Sequence, residues 1–190
     1  NGATGVAINS TITAAFSEAM LSSTVNTNTF TVSNGNGVIG GTVSYSDKTA
    51  TFTPSNSLSD STTYTARITT GVKDLAGNTL ASDYTWSFTT VDTTQPTVSS
   101  TTPVNGVTGV TINSAITATF REGMQSSTIN TNTFTVSDGN GNISGTVSYS
   151  NTTATFTPSR NLSDSTTYTA KITTRVKDLA GNALASDYTW

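Results

Sequence analysis

The side chains able to do chemistry in this 190-residue chain are carboxylates and little else: eleven Asp and Glu, eight Lys and Arg, no His and no Cys. Disulfides, thiolate nucleophiles, imidazole bases and imidazole or thiolate metal ligands are thereby excluded. What remains is oxygen chemistry, and it recurs. Asp74, Asn78 and Asp83 reappear as Asp178, Asn182 and Asp187. Oxygens grouped in this way are candidate ligands for calcium, the one cofactor the residues admit. Calcium takes about six to eight oxygens, however, and each loop offers only one or two carboxylates. An Asp followed three residues later by Gly is also a turn signature, the carboxylate accepting from the turn backbone and the Gly turning left-handed. The turn reading is the stronger, with Leu75 and Leu80 expected to pin the loop to the body of the domain, and no cofactor is expected.

Glu18 and Glu122 also recur. Glycoside hydrolysis needs two carboxylates flanking one bond, and no second carboxylate is marked as a partner for either. A Glu beside a core Phe and Met at a strand end reads as a solvated residue. Lys73 and Lys177 stand beside an Asp in a polar turn, where an intramolecular crosslink would need a buried lysine. Trp86 could stack on sugar. It alternates with Tyr84 and Phe88, though, and an outward Trp would bury Thr85, Ser87 and Thr89 instead. Rows such as Thr49, Thr51 and Thr53 are the ordinary solvent face of a strand. No catalytic residue, and no enzymatic activity, is expected.

The elements that position these residues are strands. Hydrophobic residues make up 33% of the chain and charged residues 10%, and the remainder is rich in Thr, Ser, Asn and Gly, which suit half-buried strands and tight turns. Apolar and polar residues alternate along Ile12-Ala14-Phe16, Phe30-Val32, Val43-Tyr45, Ala50-Phe52, Tyr64-Ala66-Ile68 and Tyr84-Trp86-Phe88. Asn34-Gly35-Asn36-Gly37 and Asp47-Lys48 punctuate them as turns, and Ser22 to Asn28 has room for one helical turn. With Val98 and its neighbours this predicts about seven strands spaced roughly ten residues apart, the pattern of an immunoglobulin-like sandwich.

The pattern occurs twice. Residues 1–86 align without a gap onto 105–190, a period of 104, with 68 of 86 positions identical. This predicts repeat one over residues 1–90, a short linker over 91–95 and repeat two over 96–190. Repeat one has no evident counterpart of the first strand at Pro96–Thr102. Repeat two has none of Ser87–Thr90, so its last strand is expected to be short. Val91–Gln95 followed by Pro96 is too short for free tumbling. The net charge of −3 offers no basic stripe for nucleic acid, and no apolar run is long enough to insert in a membrane.

Several of these stretches resemble the bacterial immunoglobulin-like domains that occur in tandem in surface-anchored and secreted proteins. They are Phe16-Ser17-Glu18-Ala19-Met20, Leu58-Ser59-Asp60-Ser61-Thr62-Thr63-Tyr64, Val72-Lys73-Asp74-Leu75-Ala76-Gly77-Asn78, Trp86-Ser87-Phe88-Thr89-Thr90 and the junction Asp92-Thr93-Thr94-Gln95-Pro96. Repeat two departs from the pattern at Arg121. The resemblance implies an all-β fold of two tandem immunoglobulin-like sandwiches in an extracellular or cell-surface protein. It implies a spacer, stalk or fibre role, with ligand binding or service to a secreted hydrolase as alternatives. The expected partners are neighbouring repeats and further copies added strand to strand.

Overall fold

The computed structural model describes residues 1–190, which divide into two units, Asn1–Thr93 and Thr94–Trp190. The first holds β1 (Ala3–Val6), β2 (Ile12–Ala15), β3 (Phe30–Asn34), β4 (Gly37–Val38), β5 (Gly41–Ser46), β6 (Thr49–Pro54), β7 (Thr63–Ile68) and β8 (Tyr84–Thr90). The second holds β9 (Val98–Thr102), β10 (Ile116–Phe120), β11 (Phe134–Ser137), β12 (Gly145–Ser150), β13 (Thr153–Pro158), β14 (Thr169–Ile172) and β15 (Tyr188–Thr189). The only helical elements are single 3₁₀ turns, Ser22–Thr24 and Ser126–Thr128.

In the first unit, a five-stranded sheet ordered β1-β8-β7-β3-β4 faces a three-stranded sheet ordered β2-β6-β5. The alternation along the chain sets which residues lie between them. Tyr64, Ala66 and Ile68 on β7, Phe30 and Val32 on β3, and Ala50 and Phe52 on β6 are all buried, with polar residues between them facing out. The rings of Phe30 and Phe52 meet across the sheets at 5.8 Å, and Trp86 lies 5.8 Å from Phe30 on its other side. Trp86 is half-buried and packs against the core, on the face that alternation requires. Tyr84, two residues earlier on the same face, is 61% exposed. Asp47 and Lys48 both take positive φ (49° and 64°), the turn that matches the twist of the β5–β6 hairpin.

The second unit repeats this plan with β12-β13-β10-β9 facing β11-β14-β15. The differences lie at the edges. β9 pairs antiparallel with β10, Thr117 opposite Thr102 and Phe120 opposite Val98, and no strand takes that place beside β2. Repeat one nonetheless has a strand ahead of β2, which sequence reading did not assign: β1 runs parallel to β8, with Ala3 opposite Phe88 and Val6 opposite Thr90. The matching stretch of repeat two, Val107–Val110, is in no sheet, and β15 is two residues long.

Two tyrosine hydroxyls fix the strand ends in each unit. Tyr64 Oη accepts from the Ser59 amide (2.9 Å), closing the turn that feeds β7, and Tyr168 does the same for Ser163 (2.9 Å). Tyr45 and Tyr149 accept from the amides of Met20 and Met124, both at 2.8 Å.

Gly41 lies where β5 crosses the Phe52 ring. A Cβ there would stand 2.3 Å from Phe52 Cζ and 2.8 Å from the Thr53 carbonyl oxygen, and at Gly145 the distances to Phe156 and Thr157 are 2.4 and 2.7 Å. Because this ring carries the contact between sheets, it cannot yield cheaply. Gly41→Ala is expected to destabilise the first unit by about 1–3 kcal/mol, lowering its calorimetric transition by roughly 5 °C or more, while Gly35→Ala leaves it in place. Equal transitions for the two variants would contradict the packing described.

Candidate functional site

The recurring Asp-Asn loop is built on an isolated bridge between Met20 and Asp74, matched by Met124 and Asp178. Asp74 is buried, and its oxygens turn inward on the loop. Oδ1 accepts from the amides of Ala76 (2.9 Å) and Asn78 (2.8 Å), and Oδ2 accepts from Asn78 Nδ2 (2.7 Å). These donors, the Asn78 side chain foremost, hold its carboxyl below the ordinary carboxylate range. Asp178 accepts from the Asn182 amide and Asn182 Nδ2, both at 2.8 Å. Gly77 and Gly181 close the turns with φ of +91° and +97°. Leu75 does not pin the loop as expected. It is 72% exposed and Leu179 is 79% exposed, while Leu80 and Leu184 supply the packing against the cores. With the carboxylate bonded to its own backbone, the loop needs no second apolar anchor.

Asp83 belongs to a different arrangement. Its Oδ2 receives Nε (2.9 Å) and Nη2 of Arg67, and its Oδ1 accepts from the Thr70 amide (2.9 Å). Asp187 likewise pairs with Lys171 Nζ (3.2 Å) and accepts from the Thr174 amide (2.9 Å). The candidate calcium ligands therefore fall into two groups with different partners. Sequence reading missed the pairing of Arg67 with Asp83, although the joint recurrence of a cation at 67 and 171 and an Asp at 83 and 187 was a signal for it.

The second unit also brings together two carboxylates whose approach the sequence does not mark. Ligand oxygens of Glu122 and Asp178 lie within 4.8 Å of each other. The sequence carries no sign of this approach, and the Met124–Asp178 bridge places the two side by side. Both Asp178 oxygens are bonded to Asn182. Glu18 is exposed, as are Lys73 and Lys177. The loop at 34–40 borders a shallow hollow edged by Asn56, Leu58 and Tyr64, and the Tyr64 hydroxyl there is already engaged with Ser59.

Arg67, then the Thr70 amide, depresses the Asp83 carboxyl below its ordinary value of 3.8, and the Thr174 amide, then Lys171, does the same to Asp187. A group depressed on folding contributes stability that is present above the unfolded value and lost as pH falls through the folded one. Asp83→Asn is expected to lower the first transition by no more than a few degrees at pH 7, and the gap from wild type should close as pH falls below about 3.8. Melting temperatures recorded from pH 7 to pH 2 check this. Millimolar calcium is expected to raise neither transition by more than about 5 °C, since the Asp74 oxygens already have donors. Calorimetry with calcium and then a chelator measures it.

No curated protein matches the chain. Among solved structures, domains 1–6 of the surface layer protein SbsC align with 97% of it at 15% identity and a TM-score of 0.40. The N-terminal part of the bacterial S-layer protein SbsC aligns with 88% at 16% identity and a TM-score of 0.39. The chain covers 33% of the first and 42% of the second, well short of their length. No helix is long and apolar enough to cross a membrane. A model described as the bacterial Ig-like domain matches twice in succession, over residues 1–90 and 92–190. Two sandwiches of one design, each meeting that model along its length, make this chain a tandem pair belonging to the bacterial Ig-like domain family.

Proposed function

We propose that the chain is a structural segment of an extracellular bacterial surface protein, acting as a spacer or stalk, and that it carries no reaction of its own. The observation behind this reading is the placement of β1 and β8. They lie side by side and run parallel. The Gly2 amide donates to the Ser87 carbonyl (2.7 Å), the Val91 amide donates to the Val6 carbonyl (2.9 Å), and the Ser87 amide donates to Asn1 Oδ1 (2.9 Å). Tension entering ahead of β1 and leaving after β8 pulls the two strands in opposite directions along their length. Their bonds are then loaded together rather than one after another, which is the resistant geometry for a hydrogen-bonded pair. Each unit also has its own core, so copies can be added to an array without a partner to complete the interior.

The alternative of a glycan- or protein-binding module is weaker, because the loops at 34–40 and 138–144 contain no aromatic residue. The test is single-molecule extension of the chain held at its two ends. Two unfolding steps are expected, each releasing about 30 nm at roughly 3.6 Å per residue, with the first unit yielding at the higher force. Deleting residues 1–6 should bring its force down to that of the second. Two steps of equal force, unmoved by the deletion, would remove the mechanical basis of the reading, and saturable binding to a glycan array would favour the module.

A further inference from the structure

We propose that the tip of the β3–β4 hairpin is a self-modifying site: the Gly35 amide nitrogen displaces ammonia from the Asn34 side chain, and water then converts that residue to aspartate or isoaspartate. The inference rests on the hydrogen bonds of the hairpin and not on the spacer reading.

The chemistry needs a backbone nitrogen free to attack the side-chain amide carbon, a donor for the charge that develops on the amide oxygen, and water. Asn34 has all three. Its Oδ1 accepts from the Asn36 amide (3.0 Å), which is where a donor stabilises the oxyanion formed by the attack. The Gly35 amide, the nucleophile, meets no acceptor in the fold. The Ser33 hydroxyl is turned away to the Thr65 carbonyl (3.4 Å), whereas in the second copy Ser137 Oγ accepts from the Gly139 amide (3.2 Å). Having no side chain, Gly35 obstructs the approach least. Asn34 is half-buried and residues 35–38 are exposed, so water reaches the site.

In the first step a bond forms between Gly35 N and Asn34 Cγ, the Cγ–Nδ2 bond breaks, and the amide proton leaves with Nδ2 as ammonia. The product is a five-membered succinimide. Water opens it at either carbonyl, giving aspartate on the original backbone or isoaspartate with one extra methylene in the chain. The other asparagines followed by glycine at these hairpin tips are held back. The Ile39 amide donates to the Val32 carbonyl (2.9 Å), and bonded pairs recur at every second residue of an antiparallel ladder. The Gly37 amide is therefore bonded to its ladder partner Asn34 and withheld from Asn36. In the second copy the Gly141 amide donates to Asp138 Oδ1 (3.2 Å) and is withheld from Asn140. That copy also shows that the aspartate product fits. Asp138 stands where Asn34 does and accepts from the Asn140 amide (2.9 Å) as Asn34 does from Asn36. Each conversion adds one negative charge to a chain of net charge −3, and isoaspartate lengthens β3 at the residue that pairs with β4.

The experiment incubates the intact 190-residue chain at mildly alkaline pH, folded in one arm and unfolded in guanidinium chloride in the other. Peptide mapping by mass spectrometry follows the gain of about 1 Da at each asparagine, and isoaspartyl methyltransferase labelling detects the rearranged product. In the folded chain Asn34 is expected to convert at least about tenfold faster than Asn36 and Asn140. In the unfolded chain the three should converge, because each is followed by glycine and none keeps its hairpin bonds. Gly35→Ala, at a position where a Cβ meets nothing within 4 Å, should slow conversion at residue 34 several-fold and leave the melting temperature unchanged. Equal rates at the three sites in the folded chain, the same preference for Asn34 after unfolding, or a Gly35→Ala chain that converts as fast as wild type would each overturn the proposal.

Discussion

Each sandwich depends on one aromatic contact between its sheets, Phe30 on Phe52 in the first and Phe134 on Phe156 in the second, both at 5.8 Å. A domain this small without disulfides has only its core to hold it, and these rings are among the bulkiest buried side chains. Other choices follow from them. Because Phe52 reaches under β5, residue 41 must lack a Cβ, and the same holds for Phe156 and residue 145. Because Phe30 takes Phe52 on one side, its other side is left for Trp86, which keeps that Trp from acting as a surface platform for sugar. The most conspicuous aromatic in the sequence is thus committed to structure.

The recurring polar motifs divide the labour in a related way. Burial of the rings leaves strand ends whose amides need acceptors, and side-chain oxygens provide them. Tyr45 and Tyr64 do this from strands, Asp74 from within its own loop, and Thr90 from β8. Each acceptor is held at a fixed number of residues from its donor, which accounts for motifs that repeat with constant spacing. The residues best placed to look like a metal site are therefore those with the most backbone protons to satisfy. Glu122 beside Asp178 has a different origin, two carboxyl groups brought close by the bridge that joins Met124 to Asp178.

Much of this was legible in the sequence, and the reasons for the failures are specific. Alternation located the faces of β3, β6 and β7 because those strands are covered by the opposite sheet along their length. It could not locate β1. Ala3-Thr4-Gly5-Val6 has no two-residue pattern and includes a glycine, and it is a strand only because β8 lies beside it. It misplaced Tyr84, which shares the phase of Trp86 and Phe88 yet is 61% exposed. It expected Leu75 inside, overlooking that a carboxylate can fix a loop unaided. The approach of Glu122 to Asp178 spans 56 positions of sequence and arises from a single bridge outside the named strands, which no local pattern encodes.

The two copies amount to a controlled comparison of what a neighbouring strand does. Of their 18 differing positions only one, Val25 against Ile129, is buried in both, and it retains a branched side chain. Arg67 becomes Lys171, and the ion pair to Asp83 or Asp187 survives. The shared stretches nevertheless differ in burial, and the differences track the edges. Ala14 and Phe16 are half-buried beside the free edge of β2, while Ala118 and Phe120 are buried beside β9. Tyr64 is buried beside β8, and Tyr168 is half-buried beside the shorter β15. Identical residues thus owe their burial to the adjacent strand rather than to their own propensity.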